Sequence, residues 1–77
     1  MRRHRWTEKE HFVVVDAAGV RHMAILFVEE VDSTSLDGPA WDETGFSRVA
    51  LADGRVVKRD TDGTMRLAAT GEVLRRA

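Results

Sequence analysis

Apolar residues in this chain come in short runs separated by turn-forming residues, the pattern of strands and hairpins rather than of long helices. His11 to Asp16 reads HFVVVD, a β-branched run suited to a pleated, half-buried strand, and Ala17-Ala18-Gly19 follows as a hairpin loop in which glycine supplies a positive φ. Val20 to Glu30 returns as a second strand, apolar on both faces between Met23 and Val28, as a central strand of a small rolled sheet would be. Residues 17–31 also carry the main alternative, a helix, because Val20, Met23, Ala24, Phe27, Val28 and Val31 recur at spacings of three and four. A helix there would set Arg21 near its positive end and Glu29-Glu30 near its negative end, unfavourable at both termini. Strand is the expectation.

Asp32 to Gly45 reads DSTSLDGPAWDETG, rich in turn-formers, and is expected to be a long acidic loop, with Trp41 either folded back over an open end of the core or offered as a contact. Beyond it Phe46 to Ala52 alternates with Val49 and Leu51 on one face, and Asp53-Gly54 signals a turn. Arg55 to Arg59 makes a brief strand, Asp60 to Gly63 turns again, Met65, Leu67 and Ala69 alternate inward, and Glu72 to Arg75 closes the series. The expected fold is therefore mostly β: a small antiparallel meander or half-barrel of about five strands over residues 11–77, preceded by a basic N-terminal arm at 1–10. The expected core is Phe12, Val14, Met23, Ile25, Phe27, Val49, Leu51, Val56, Met65, Leu67 and Leu74.

Length changes this picture by making stability thin: a 77-residue domain buries only about 60% of its unfolded surface. Cysteine is absent, so no disulfide or thiolate zinc site can stiffen so small a core, and oligomerisation is the remaining common staple. Met23 to Val28 is the longest apolar run, far short of a bilayer span, and Glu8, Lys9 and Glu10 stand where a signal peptide would be apolar; a cytoplasmic protein is expected. The net charge of −1 conceals an uneven distribution. Residues 1–28 hold 5 basic and 3 acidic side chains, residues 29–45 none and 6, and residues 46–77 hold 7 and 4. The middle segment is thus a candidate acidic patch, and the arginines on either side can meet it or an external anion.

Motifs for chemistry are not found. The three histidines, His4, His11 and His22, show no HxH or HExxH spacing, and two imidazoles on one hairpin do not make a zinc site. Aligning Gly63 with the sixth position of a calcium loop puts Lys58 at the first ligand position and Ala69 at the twelfth, where a glutamate is needed. Ser33, Ser35 and Ser47 lack a nucleophile elbow, and no phosphate-binding glycine motif occurs. Neither cofactor nor metal is expected, and the chain reads as a non-enzyme.

Two binding roles are left. The first is a protein-interaction or accessory module, with a homodimer among its forms, docking through an edge strand or through Leu36 and Trp41 inside the charged rim of Asp37, Asp42 and Glu43. The alternative is a nucleic-acid-binding β domain using Arg2, Arg3, Arg5, Trp6, Arg75 and Arg76. Against that alternative stand the absence of tyrosine and a near-neutral charge balance.

The hairpin, the loop containing Asp37-Gly38-Pro39, the run Ala52-Asp53-Gly54-Arg55-Val56-Val57 and the terminal Thr70-Gly71-Glu72-Val73-Leu74-Arg75-Arg76 together resemble a group of short bacterial β-rich proteins of unassigned function. The resemblance covers most of residues 11–76, implies a bacterial cytoplasmic setting and transfers no functional residue.

Overall fold

The structure, a computed structural model, describes residues 2–77. Six strands follow one another along the chain: β1 (His4–Val15), β2 (Arg21–Asp32), β3 (Trp41–Leu51), β4 (Val56–Arg59), β5 (Met65–Leu67) and β6 (Val73–Arg76). Each pairs antiparallel with the next, and β6 returns to β1 through Val14↔Arg76 and Val15↔Arg75, which closes a barrel. The helical alternative over residues 17–31 is overturned: apart from the Asp16–Gly19 turn, these residues lie in β2 or lead into it.

Hairpin chemistry explains the short connections. At Asp16–Gly19 the Gly19 N–H donates to the Asp16 carbonyl (3.0 Å) and the Asp16 N–H to the Val20 carbonyl (3.0 Å). Asp60–Gly63 repeats that pattern, Gly63 donating to Asp60 (3.0 Å) and Asp60 to Thr64 (2.8 Å). Both are type I turns followed by a left-handed residue, and Gly19 and Gly63 take it at φ 81° and 88°, where a side chain would be strained.

The strands are unequal, and their lengths shape the molecule. β1, β2 and β3 pair along most of their 11 or 12 residues, whereas β4 pairs β3 only at Val49↔Val57 and Ala50↔Val56. A small barrel thus continues into a three-stranded ribbon, giving dimensions of 53 × 20 × 19 Å. The N-terminal arm expected at residues 1–10 is corrected accordingly: from His4 onward it is β1, paired with the far half of β2, for example Arg5↔Glu30 and Thr7↔Val28. The loop expected at 32–45 shrinks as well. Asp32↔Trp41 ends the β2–β3 ladder, Ser33 N–H donates to the Ala40 carbonyl (2.9 Å), and a Ser35↔Gly38 bridge leaves only Leu36 and Asp37 at the tip.

Val14, Ala24, Val49, Leu51, Val57, Leu67 and Leu74 form the buried core, with Phe12, Leu26 and Met65 packed against it. The expected core holds at Val14, Val49, Leu51, Leu67 and Leu74 and is half-buried at Phe12 and Met65. Met23, Ile25, Phe27 and Val56 are corrections. Paired residues share a face of a sheet, so Val49 and Leu51, turned inward, bring Leu26 and Ala24 inward with them and send Met23, Ile25 and Phe27 outward. By the same rule Val57 follows Val49 into the core, and Val56, opposite Ala50, points out. Ala69 is exposed in the turn after β5 rather than alternating inward.

Candidate interaction surface

The ribbon brings the basic start of the chain alongside its acidic middle. Arg5 Nε donates to Glu30 (2.9 Å), the Thr7 hydroxyl donates to the same carboxylate (2.7 Å), Lys9 meets Glu43 (2.9 Å) and His4 lies 3.4 Å from Glu29. Three of the six acidic side chains of residues 29–45, Glu29, Glu30 and Glu43, thereby meet His4, Arg5 and Lys9 within the fold. Chiefly through the Thr7 hydroxyl and then Arg5, the Glu30 carboxyl is held below its ordinary range; Asp32 is lowered first by the Thr34 hydroxyl, with Arg3 and Arg2 adding to it.

The five residues expected to make a docking loop are distributed along this ribbon. Trp41, Asp42 and Glu43 begin β3, and the Arg5 guanidinium lies 3.9 Å from the centre of the Trp41 ring. Leu36, fully exposed, and Asp37 occupy the tip beyond the Ser35↔Gly38 bridge, several rungs from Trp41. Trp41 is half-buried under Arg5 and does not belong to the core cluster, so it does not plug the barrel.

Three of the candidate nucleic-acid residues, Arg5, Arg76 and Trp6, are similarly engaged. Arg5 is held by Glu30 and Trp41, Arg76 by Glu10 and by the Phe12 ring at 4.4 Å, and the Trp6 ring is covered by Arg48 at 4.5 Å. Among the described residues Arg75 has no ion-pair partner and lines an open cleft of about 480 Å³ that opens onto the barrel interior at Phe12, Leu26, Met65 and Leu74.

Each histidine is bonded to a carboxylate: His4 to Glu29, His11 to Glu8 (2.9 Å) and His22 to Asp16 (2.8 Å). The hydrogen bond from His22 is the main cause that lowers the Asp16 carboxyl. No group of three His, Asp or Glu side chains among the described residues could hold a metal ion.

What the sequence reading missed is the outer face of the sheet. Since Ala24, Leu26 and Val28 face inward, Met23, Ile25 and Phe27 stand on the outside, in register with Val13, His11 and Glu8 of β1 and, for the latter two, with Ala50 and Arg48 of β3. Val56 extends the Ile25–Ala50 row onto β4. Met23 is 42% and Val56 60% exposed. This apolar band crosses four neighbouring strands, with Ile25 and Phe27 half-buried and the Arg48 guanidinium 5.6 Å from the centre of the Phe27 ring.

The ribbon's open edges are less inviting. β1 carries a bulge at Lys9, between Glu8 and Glu10, and β3 bulges at residues 44–46 opposite Glu29, with Gly45 at φ 94°. Bulges and charges of this kind interrupt the backbone ladder that a pairing strand would need. The expectation of edge-strand docking is further narrowed because the terminal strands β1 and β6 pair with each other. Comparison of the chain with protein-family models, with curated proteins and with solved structures finds no match.

Proposed function

We propose that this chain is a non-enzymatic protein-interaction module that docks through the outer face of its β1–β4 sheet. The observation that carries the reading is the phase of β2: both of its faces are apolar, one fills the barrel, and the other turns outward with Met23 exposed and Ile25 and Phe27 half-buried. Contiguous exposed apolar surface with a polar rim is the usual mark of a contact site. Here the rim is Glu8 and His11 on one side and Arg48 on the other. The half-covered Trp41 and the Leu36 tip are secondary contacts in this reading, since the two lie apart along the ribbon.

Affinity capture with the tagged chain tests it. Phe27→Glu places a charge in the band without touching the core, and Leu36→Ser alters only the tip. Expected is loss of stoichiometric protein capture with Phe27→Glu, unchanged circular dichroism, and full capture with Leu36→Ser. Loss confined to Leu36→Ser would move the contact to the tip, and capture that disappears with nuclease would move the function to nucleic acid.

A further inference from the structure

Resting on that reading, we propose that the occupant of the outer sheet face is a second copy of this chain, packed face to face about a two-fold axis parallel to β2. The first support is area. A monomer of 8.7 kDa is expected to expose about 4,700 Å², and this chain exposes 5628 Å², an excess of about 900 Å². Shape agrees: the radius of gyration is 15.2 Å, against about 11.5 Å for a compact chain of this length. One partner of a standard stable interface buries about 800 Å². The surplus lies over the whole elongated molecule, ribbon included, and is of the order of one side of such an interface.

The second support is charge. Glu8, Phe27 and Arg48 form one transverse row on the outer face, acid, aromatic and base in register on β1, β2 and β3. The proposed axis lays the β1 side of one copy over the β3 side of the other at the same height along the strands. Phe27 then meets Phe27 of the second copy, Glu8 lies over Arg48, and Arg48 lies over Glu8. A row of this order is complementary to itself, which an isologous interface requires. Arg48 stacks on Trp6 and Phe27 at 4.5 and 5.6 Å and among the described residues has no ion-pair partner, while the Glu8 carboxylate, which holds His11 at 2.9 Å, is shared with Arg48 of the second copy in this arrangement.

The third support is the small core. Seven buried side chains, none larger than leucine, hold the barrel together, without a disulfide and with no candidate metal cluster among the described residues. A chain of this size commonly gains its remaining stability by association. Two sheets packed with their strands within about 30° of parallel would cover the band along its length.

Sedimentation equilibrium on the full chain tests the proposal by charge exchange. Wild type is expected at twice the 8.7 kDa chain mass at micromolar concentration, and Glu8→Arg and Arg48→Glu, each alone, at the single-chain mass. Mixed in equal amounts, the two variants regain the dimer, because each supplies the charge the other lacks; the double variant carrying both changes dimerises alone. Circular dichroism confirms that both variants fold. A monomeric wild type, or single variants as dimeric as wild type, would overturn the proposal. A monomeric wild type whose protein capture is still lost with Phe27→Glu overturns the second copy and leaves the interaction module standing; if that variant captures normally as well, both fail.

Discussion

Val56 and Val57 are adjacent and chemically identical, and only the phase of β4 distinguishes them, so alanine at each position tests the barrel directly. Val57 is 5% exposed and sits in the core cluster opposite Val49 and Leu67, whereas Val56 is 60% exposed. Val57→Ala removes two buried carbons, about 1.6 kcal/mol of transfer free energy, and with the cavity left behind about 2–3 kcal/mol in all. For a domain of 77 residues that is a lowering of the melting temperature by about 10–20 °C. Val56→Ala costs a few tenths of a kcal/mol of strand preference within one chain. The proposed association through the outer face predicts a larger cost at high protein concentration, since association stabilises a fold by mass action. Urea titrations of both variants at a low and a high protein concentration separate the effects. A larger loss at Val56 than at Val57 at every concentration would mean that β4 lies in the opposite phase, and the assignment of inner and outer faces would fail with it.

Two further outcomes follow from the ribbon. The carboxyls of Asp16, Glu30, Asp32, Asp53 and Asp62 are all held below their ordinary values, by His22, Thr7, Thr34, the Arg55 N–H and the Thr64 N–H respectively as the largest causes. Groups with lowered folded values stabilise the fold fully above their unfolded values, about 4, and lose that contribution as pH falls through the folded ones. Denaturation midpoints should therefore hold steady down to about pH 5 and fall below about 4; a midpoint that rises on acidification would contradict this. Arg5 and Trp41, at 3.9 Å, should show a coupling of about 0.5–1 kcal/mol in a double-mutant cycle read by urea unfolding, and additive losses would show that the stacking contributes nothing.

How much of this was legible in the sequence depended on where each element's phase was fixed. Val49 and Leu51, flanked by Arg48 and Ala50, announce their inward face by alternation, and the turns at Asp53-Gly54 and Asp60–Gly63 announce themselves by glycine. β2 announces neither face, because Met23 to Val28 is apolar throughout, and its phase is set only by the partners that Val49 and Leu51 impose. Once Val49 and Leu51 were read as inward, a register for β2–β3 was the single missing quantity. The polar stretch from His4 to Glu10 reads as an arm because its strand partners on β2 lie 16 or more positions away, a relation no local pattern carries. The same long-range pairing turned the acidic loop into ladder, and so separated Leu36 from Trp41. The placement of Glu8 and Arg48 on either side of Phe27 likewise appears only once the register is known.

An isotope-filtered NMR experiment on a mixture of labelled and unlabelled copies asks most directly whether the outer face is a contact between chains. Cross-copy signals should connect the Phe27 ring with the Phe27 ring and with Ile25 methyls, and should be absent for the barrel residues Val14, Val49 and Leu74. A tumbling rate matching a chain of 8.7 kDa with no cross-copy signal from Phe27 would contradict it.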